Sequence, residues 1–147
     1  YISYGARGVI ICEEWKNYQN FAKWYEENCT DETFAIDKDI LCKGNKVYCP
    51  EYCRFIPKDI NSALTSRRRE RGDYPVGVRL KDGYIIAQIN YMSKKKHLGS
   101  FSTVEKAFAA YKIAKEQCLK DYADKYKDVI SEDIYNALYE YKIEIDD

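Results

Sequence analysis

Three groups of residues carry types and spacings suited to chemistry. Asp37 and Asp39 stand two apart in the run Ala35-Ile36-Asp37-Lys38-Asp39-Ile40, which would put both carboxylates on one face of an extended strand. With Asn45 and Glu51 they could form the oxygen-rich site that magnesium or another hard divalent cation prefers. The plainer alternative has the two aspartates solvating a strand end and capping a turn. Cys42, Cys49 and Cys53 form a second group, a Cys-x3-Cys step with a third thiol seven residues upstream, which could supply part of a zinc site. No histidine lies near them, and buried reduced thiols acting as small hydrophobes are the competing reading. The third group is basic and amide-bearing: Arg79, Lys81, Gln88, Asn90, Lys95 and His97, with Tyr84 among them. Arginine can donate twice to guanine, glutamine or asparagine can pair with adenine, and lysine neutralises phosphate. Arg67, Arg68, Arg69 and Arg71 precede this group in a linker ending at Gly72. They could clamp backbone phosphates or line a minor groove, or simply solvate an interdomain connection.

The third group needs a sheet to present it. Two alternating runs flank Asp82-Gly83, and this dipeptide announces a tight hairpin because Gly tolerates the positive φ of such a turn. A third extended run, residues 95–101, follows a basic loop. Period two then places Ile85, Ala87, Ile89, Val78, Leu80, Leu98 and Phe101 inward. Tyr84, Ile86, Gln88, Asn90, Arg79, Lys81, Lys95 and His97 are left outward. Ser102 is the expected N-cap of the next helix, with Glu105 three residues on, and Val104, Ala107, Phe108, Tyr111, Ala114 and Cys118 recur at helical spacing. Ser131-Glu132-Asp133 can cap a further helix carrying Ile134, Leu138 and Tyr141, before an acidic tail expected to be extended.

The first 65 residues read differently. Val9-Ile10-Ile11-Cys12 is strand-like, and one helix is expected over residues 13–27, with Trp15, Phe21 and Trp24 building a local core. Residues 34–41 and Val47-Tyr48-Cys49 are expected to be strands about the Lys43-Gly44-Asn45-Lys46 turn, and helical character returns over residues 56–64. Strand, loop, strand and helix suggest a ββα unit, and the chain as a whole is expected to be α+β.

Two stretches also resemble known families. Gly77-Val78-Arg79, Gly83 opening a strand that ends Ala87-Gln88-Ile89, and Leu98-Gly99-Ser100-Phe101-Ser102-Thr103 before Glu105-Lys106-Ala107-Phe108-Ala109-Ala110-Tyr111 resemble the plant apetala-two/ethylene-response-factor DNA-binding domain. That resemblance implies a three-stranded sheet in the major groove of double-stranded DNA with a helix behind it, and it assigns DNA-reading roles to Arg79 and Lys81. Asn90, Lys95 and His97 match positions often held by Arg or Trp. Tyr4-Gly5-Ala6-Arg7-Gly8, Cys12-Glu13-Glu14-Trp15, Ile36-Asp37-Lys38-Asp39, Gly44-Asn45 and Tyr48-Cys49-Pro50-Glu51-Tyr52-Cys53-Arg54-Phe55 look like the degenerate HNH endonuclease-like module of phages and mobile elements. In that family an Asp-His step provides a metal ligand and then the general base. Here the step is Asp37-Lys38, and an ammonium protonated at neutral pH cannot take a proton from water.

Charge is distributed unevenly along a chain of zero net charge. Residues 66–101 hold nine Lys and Arg against three Asp and Glu, about +6, whereas residues 102–147 hold seven against eleven, about −4. A basic middle can bind a polyanion even in a neutral protein. No run of eighteen apolar residues and no signal-like leader stands in the 147 residues, so a cytoplasmic protein without membrane association is expected. A start at Tyr1 rather than Met leads us to expect missing N-terminal residues.

These readings divide the chain into an HNH-like module (1–65), a basic linker (66–73), an apetala-two-type domain (74–127) and a helical extension (128–147). Sequence-directed binding of double-stranded DNA by a homing-endonuclease-like protein, with a weak or inactive nuclease centre at Asp37 and Lys38, is the expected function. The alternatives are an active magnesium-dependent endonuclease using Asp37, and a phage protein that binds a host protein or a second copy of itself.

Overall fold

The computed structural model describes residues 8–65 and 72–147; Arg67, Arg68, Arg69 and Arg71 lie outside them. The architecture is α+β, mixing helices with short strands and one three-stranded antiparallel sheet. No helix among the described residues is long and apolar enough to cross a membrane.

In the N-terminal part, β1 (Ile10–Ile11) leads into α1 (Glu13–Lys16) and α2 (Tyr18–Asn28). The single helix expected over residues 13–27 is therefore broken. At the break Asn17 is extended (φ −82°, ψ 111°), and its side-chain oxygen accepts the Gln19 N–H at 3.0 Å, the bond that makes asparagine a strong helix starter. Trp15 is buried, and its ring centroid lies 4.6 Å from that of Trp24, which stacks on Phe55 at 5.2 Å. The expected aromatic core is thus present and also joins α2 to a strand more than two dozen residues later.

β2 (Ala35–Asp37) pairs antiparallel with β4 (Arg54–Ile56), and α3 (Lys58–Leu64) follows. The ββα order forms, but its second strand is not the expected one. Val47–Tyr48 forms β3, which runs parallel beside β1. The physical reason lies in the intervening loop: Asp37 and Asn45 bond to its backbone and turn the chain away from β2.

β5 (Val78–Lys81), β6 (Tyr84–Tyr91) and β7 (Lys94–Phe101) make the larger sheet, with β6 central. Asp82 (φ 50°) and Gly83 (φ 82°) both take positive φ, as the primed two-residue turn requires. The second connection is equally tight and is not the expected basic loop: Met92 (φ 50°) and Ser93 (φ 68°) repeat the conformation without glycine or asparagine. One face of the sheet packs on α4 (Val104–Tyr126), which in turn carries α5 (Glu132–Glu140). The α4 cap is Thr103 rather than Ser102, its hydroxyl accepting the Lys106 N–H at 3.2 Å.

Backbone passes close to helix at Gly77 (φ +77°), where an added Cβ would lie 2.0 Å from Cδ2 of Tyr111. Only glycine fits there, on grounds of both conformation and space. Ile40, Ile56 and Ile60 from the N-terminal part belong to the same buried cluster as Val78, Leu119, Ile134 and Leu138. Tyr126 Oη to Asp59 (2.7 Å) and Arg54 Nε to Asp133 (3.0 Å) add polar ties across it. The tail after α5 forms no strand. It docks by burying Ile143, whose N–H reaches Glu116 Oε1 at 3.0 Å while its carbonyl accepts from Lys112 Nζ at 2.6 Å.

Candidate nucleic-acid interface

Strand register assembles the outward residues. Lys81 lies opposite Tyr84, Arg79 opposite Ile86 and then Ser100, Gln88 opposite His97, and Asn90 opposite Lys95. Leu98 is the extra residue of a bulge in β7, opposite the Ala87/Gln88 step and next to Gly99 (φ 131°). A bulge changes which face successive residues occupy, so Lys95 and His97 point outward before it while Phe101 returns to the helix side after it. Arg79, Lys81, Tyr84, Gln88, Lys95 and His97 line one shallow depression of about 600 Å³. Asn90 lies beyond its end, on the wall of a larger cleft.

Two positions differ from expectation. Ile86 is on the outward face but only 5% exposed, forming a floor between Arg79 and Ser100. Leu80 is 53% exposed instead of packed, because it lies beside the hairpin tip, where the sheet's inner side is left uncovered.

Arg79 Nε is a buried donor without an acceptor. Among the described residues, the side chains of Arg79, Lys81, Gln88, Asn90, Lys95 and His97 make no hydrogen bond or ion pair. A guanidinium donor held out of water without an acceptor is costly in isolation, and a phosphate or base edge would supply what it lacks.

Around Asp37 the arrangement is different. Asp37 is 7% exposed, and its Oδ1 accepts the N–H groups of Asp39 (3.0 Å) and Ile40 (2.7 Å). Burial raises its pKa, and the charge of Asp39 raises it further, against the lowering effect of the two backbone donors. Lys38 Nζ lies 3.2 Å from Asp39 Oδ2. Asn45 Nδ2 donates to the carbonyls of Lys38 (2.7 Å) and Val47 (2.9 Å), and its oxygen accepts the Val47 N–H (3.1 Å). Asn45 is therefore tied to loop backbone through both its amide nitrogen and its oxygen. Glu51 lies on the exposed turn before β4.

No group of three or more His, Cys, Asp or Glu side chains suited to a metal occurs among the described residues. Cys42 is exposed, whereas Cys49 and Cys53 are buried. The thiols that influence Cys53 are Cys49 and Cys12, and burial pushes its pKa up to about 11. Cys42, Cys49 and Cys53 therefore do not form such a group.

Sequence reasoning missed Lys115, which sits inside the apolar stripe of α4 at 9% exposure. The available signal was a lysine one turn after Tyr111 and three residues before Cys118. No family model, curated protein or solved structure matches the chain.

Proposed function

We propose that the protein binds double-stranded DNA through the outward face of β5, β6 and β7. Its N-terminal part would be a nuclease-like module of a phage or mobile-element protein that cuts weakly or not at all. The observation that carries this reading is the set of unpartnered donors on one sheet face, Arg79 Nε above all. A sheet can enter the major groove; Arg79 would donate to guanine, Gln88 and Asn90 to adenine, and Lys81 and Lys95 would meet phosphates. Tyr84, 66% exposed at the hairpin tip, and His97 complete the surface. Arg67, Arg68, Arg69 and Arg71 would add sequence-blind, salt-sensitive affinity. A DNA target fits a cytoplasmic location.

Loss of cutting follows from two features: Lys38 stands where a base would be needed and its ammonium faces Asp39, and Asn45 is engaged by its own loop. One observation favours a second reading, metal-dependent cleavage. Asp39 raises the pKa of Asp37, and a divalent cation held by the two carboxylates with several waters would relieve that repulsion. A gel shift and a cleavage assay on one random duplex library, with and without magnesium, test both. Salt-sensitive, sequence-selective retention without nicking is expected. Magnesium-dependent nicking that Asp37→Ala abolishes would establish the second reading, and no retention at any salt concentration would remove the first.

A further inference from the structure

Lys115 is a lysine inside the apolar stripe of α4. Nine-tenths of the residue is buried, and among the described residues it makes no hydrogen bond or ion pair. Burial lowers its pKa, the Cys118 thiol acts the other way, and among the described residues no carboxylate compensates it. Methionine or leucine would fill the same place on an apolar helix stripe without the cost of burying a charge.

The amine lines a cleft of about 1530 Å³, bounded by the Asp37 loop, the C-terminal end of α3, the upper part of β6 and the docked tail. Four carboxylates share its walls, and each is already engaged. Asp39 meets Lys38 (3.2 Å), Asp147 meets Lys43 (2.7 Å), and Asp59 accepts from Tyr126 Oη (2.7 Å) with Lys125 Nζ at 3.6 Å. Asp37 accepts two backbone N–H groups. Among the described residues, Lys115 and Lys95 are the wall lysines that no carboxylate pairs with. Asn61, Asn90 and Tyr122 bring amide and hydroxyl donors to the same space. Four lysines and four aspartates line the cleft, so its charge is balanced overall; the anion preference is local, where the unpaired Lys115 shares the space with the amide and hydroxyl donors of Asn61, Asn90 and Tyr122, and tetrahedral phosphate, which accepts from several directions, suits that donor set. Gln88 and Lys95 line both this cleft and the sheet depression, so the two are continuous.

We propose that this cleft binds a phosphate group, with Lys115 as its central cation. The phosphate could come from a DNA strand running off the sheet face or from free phosphate. Only the first source rests on the DNA-binding reading.

The test uses the full chain with Lys115→Met, which keeps the apolar stem, and Lys115→Arg, which keeps the charge. Inorganic phosphate should raise the Tm of the wild type and of Lys115→Arg but not of Lys115→Met. It should also move the 13Cε titration of Lys115 to higher pH. In a second arm with a duplex, Lys115→Met should lower the salt slope by about one phosphate contact if the source is DNA, and leave it unchanged if the source is free phosphate. Identical responses of wild type and Lys115→Met to both phosphate and duplex overturn the proposal. Arg79→Ala, run beside them on the duplex, reports on the sheet face alone, so failure of the cleft and failure of the DNA reading give different results.

Discussion

The outward sheet face and the Asp37 loop are both rich in charged and amide side chains, yet they use them in opposite ways. On the sheet, Arg79, Lys81, Gln88 and His97 project from strands whose cross-strand bonds are made by backbone, and among the described residues their side chains make no hydrogen bond or ion pair. In the loop there is little regular structure, and Asp37 and Asn45 spend their polar atoms on loop backbone in place of the missing ladder, while Lys38 pairs with the Asp39 side chain. Backbone satisfaction in one place frees side chains for a ligand, and its absence in the other consumes them.

The contrast can be broken at its frame or at its surface, with effects of different size. Gly77→Ala should have the largest effect, because the new Cβ would overlap the Tyr111 ring and the residue would keep φ near +77°. A loss of roughly 3 kcal/mol or more is expected in urea unfolding, with DNA binding lost alongside it. Arg79→Ala should do the reverse, costing roughly 1 to 3 kcal/mol of specific binding in anisotropy titrations while stability changes by less than about 0.5 kcal/mol. Equal losses on specific and random duplexes would count against base reading. Asn45→Ala should cost roughly 1 to 2 kcal/mol of stability, since three hydrogen bonds of the loop go with it, and duplex affinity should stay at the wild-type value.

Asp37→Asn should have the smallest effect, and its sign is informative. The folded state raises the pKa of Asp37, so the wild type is penalised for ionising this group. The penalty is absent below the unfolded value of about 3.9 and grows as pH rises through the folded value. Asparagine can still accept the two backbone N–H groups but cannot ionise. Urea midpoints measured from about pH 3 to about pH 8 should therefore shift in favour of the variant as pH rises. A shift in favour of the wild type would mean that the carboxylate stabilises the fold.

Much of the sheet could be read from the chain. Asp82-Gly83 announced its hairpin, and the Val104 to Cys118 stripe announced α4. The bulge was not read: period two cannot put Leu98 and Phe101, three residues apart, on one face, and only the extra residue in β7 reconciles the two. The Met92-Ser93 turn was not legible, since neither residue type favours positive φ. The partner of Val47–Tyr48 was hidden as well, because a two-residue strand is placed by tertiary packing rather than by its own pattern. At the candidate site, period two found the outward side chains. It could not tell that Ile86 would be covered or that Asp37 would be spent on its own loop, for both depend on neighbours brought close by folding. Lys115 stayed hidden because helical spacing predicts burial of a position and not the charge placed there.

The most direct measurement is a 15N-resolved NMR titration of the full chain with a duplex selected from the random library. The account predicts that backbone and side-chain shifts concentrate at Arg79, Lys81, Tyr84, Gln88, Asn90, Lys95 and His97, while α5 and the aromatic cluster about Trp15 stay unmoved. Shifts centred on α5 or that aromatic cluster, with the sheet face unchanged at saturating DNA, would contradict it.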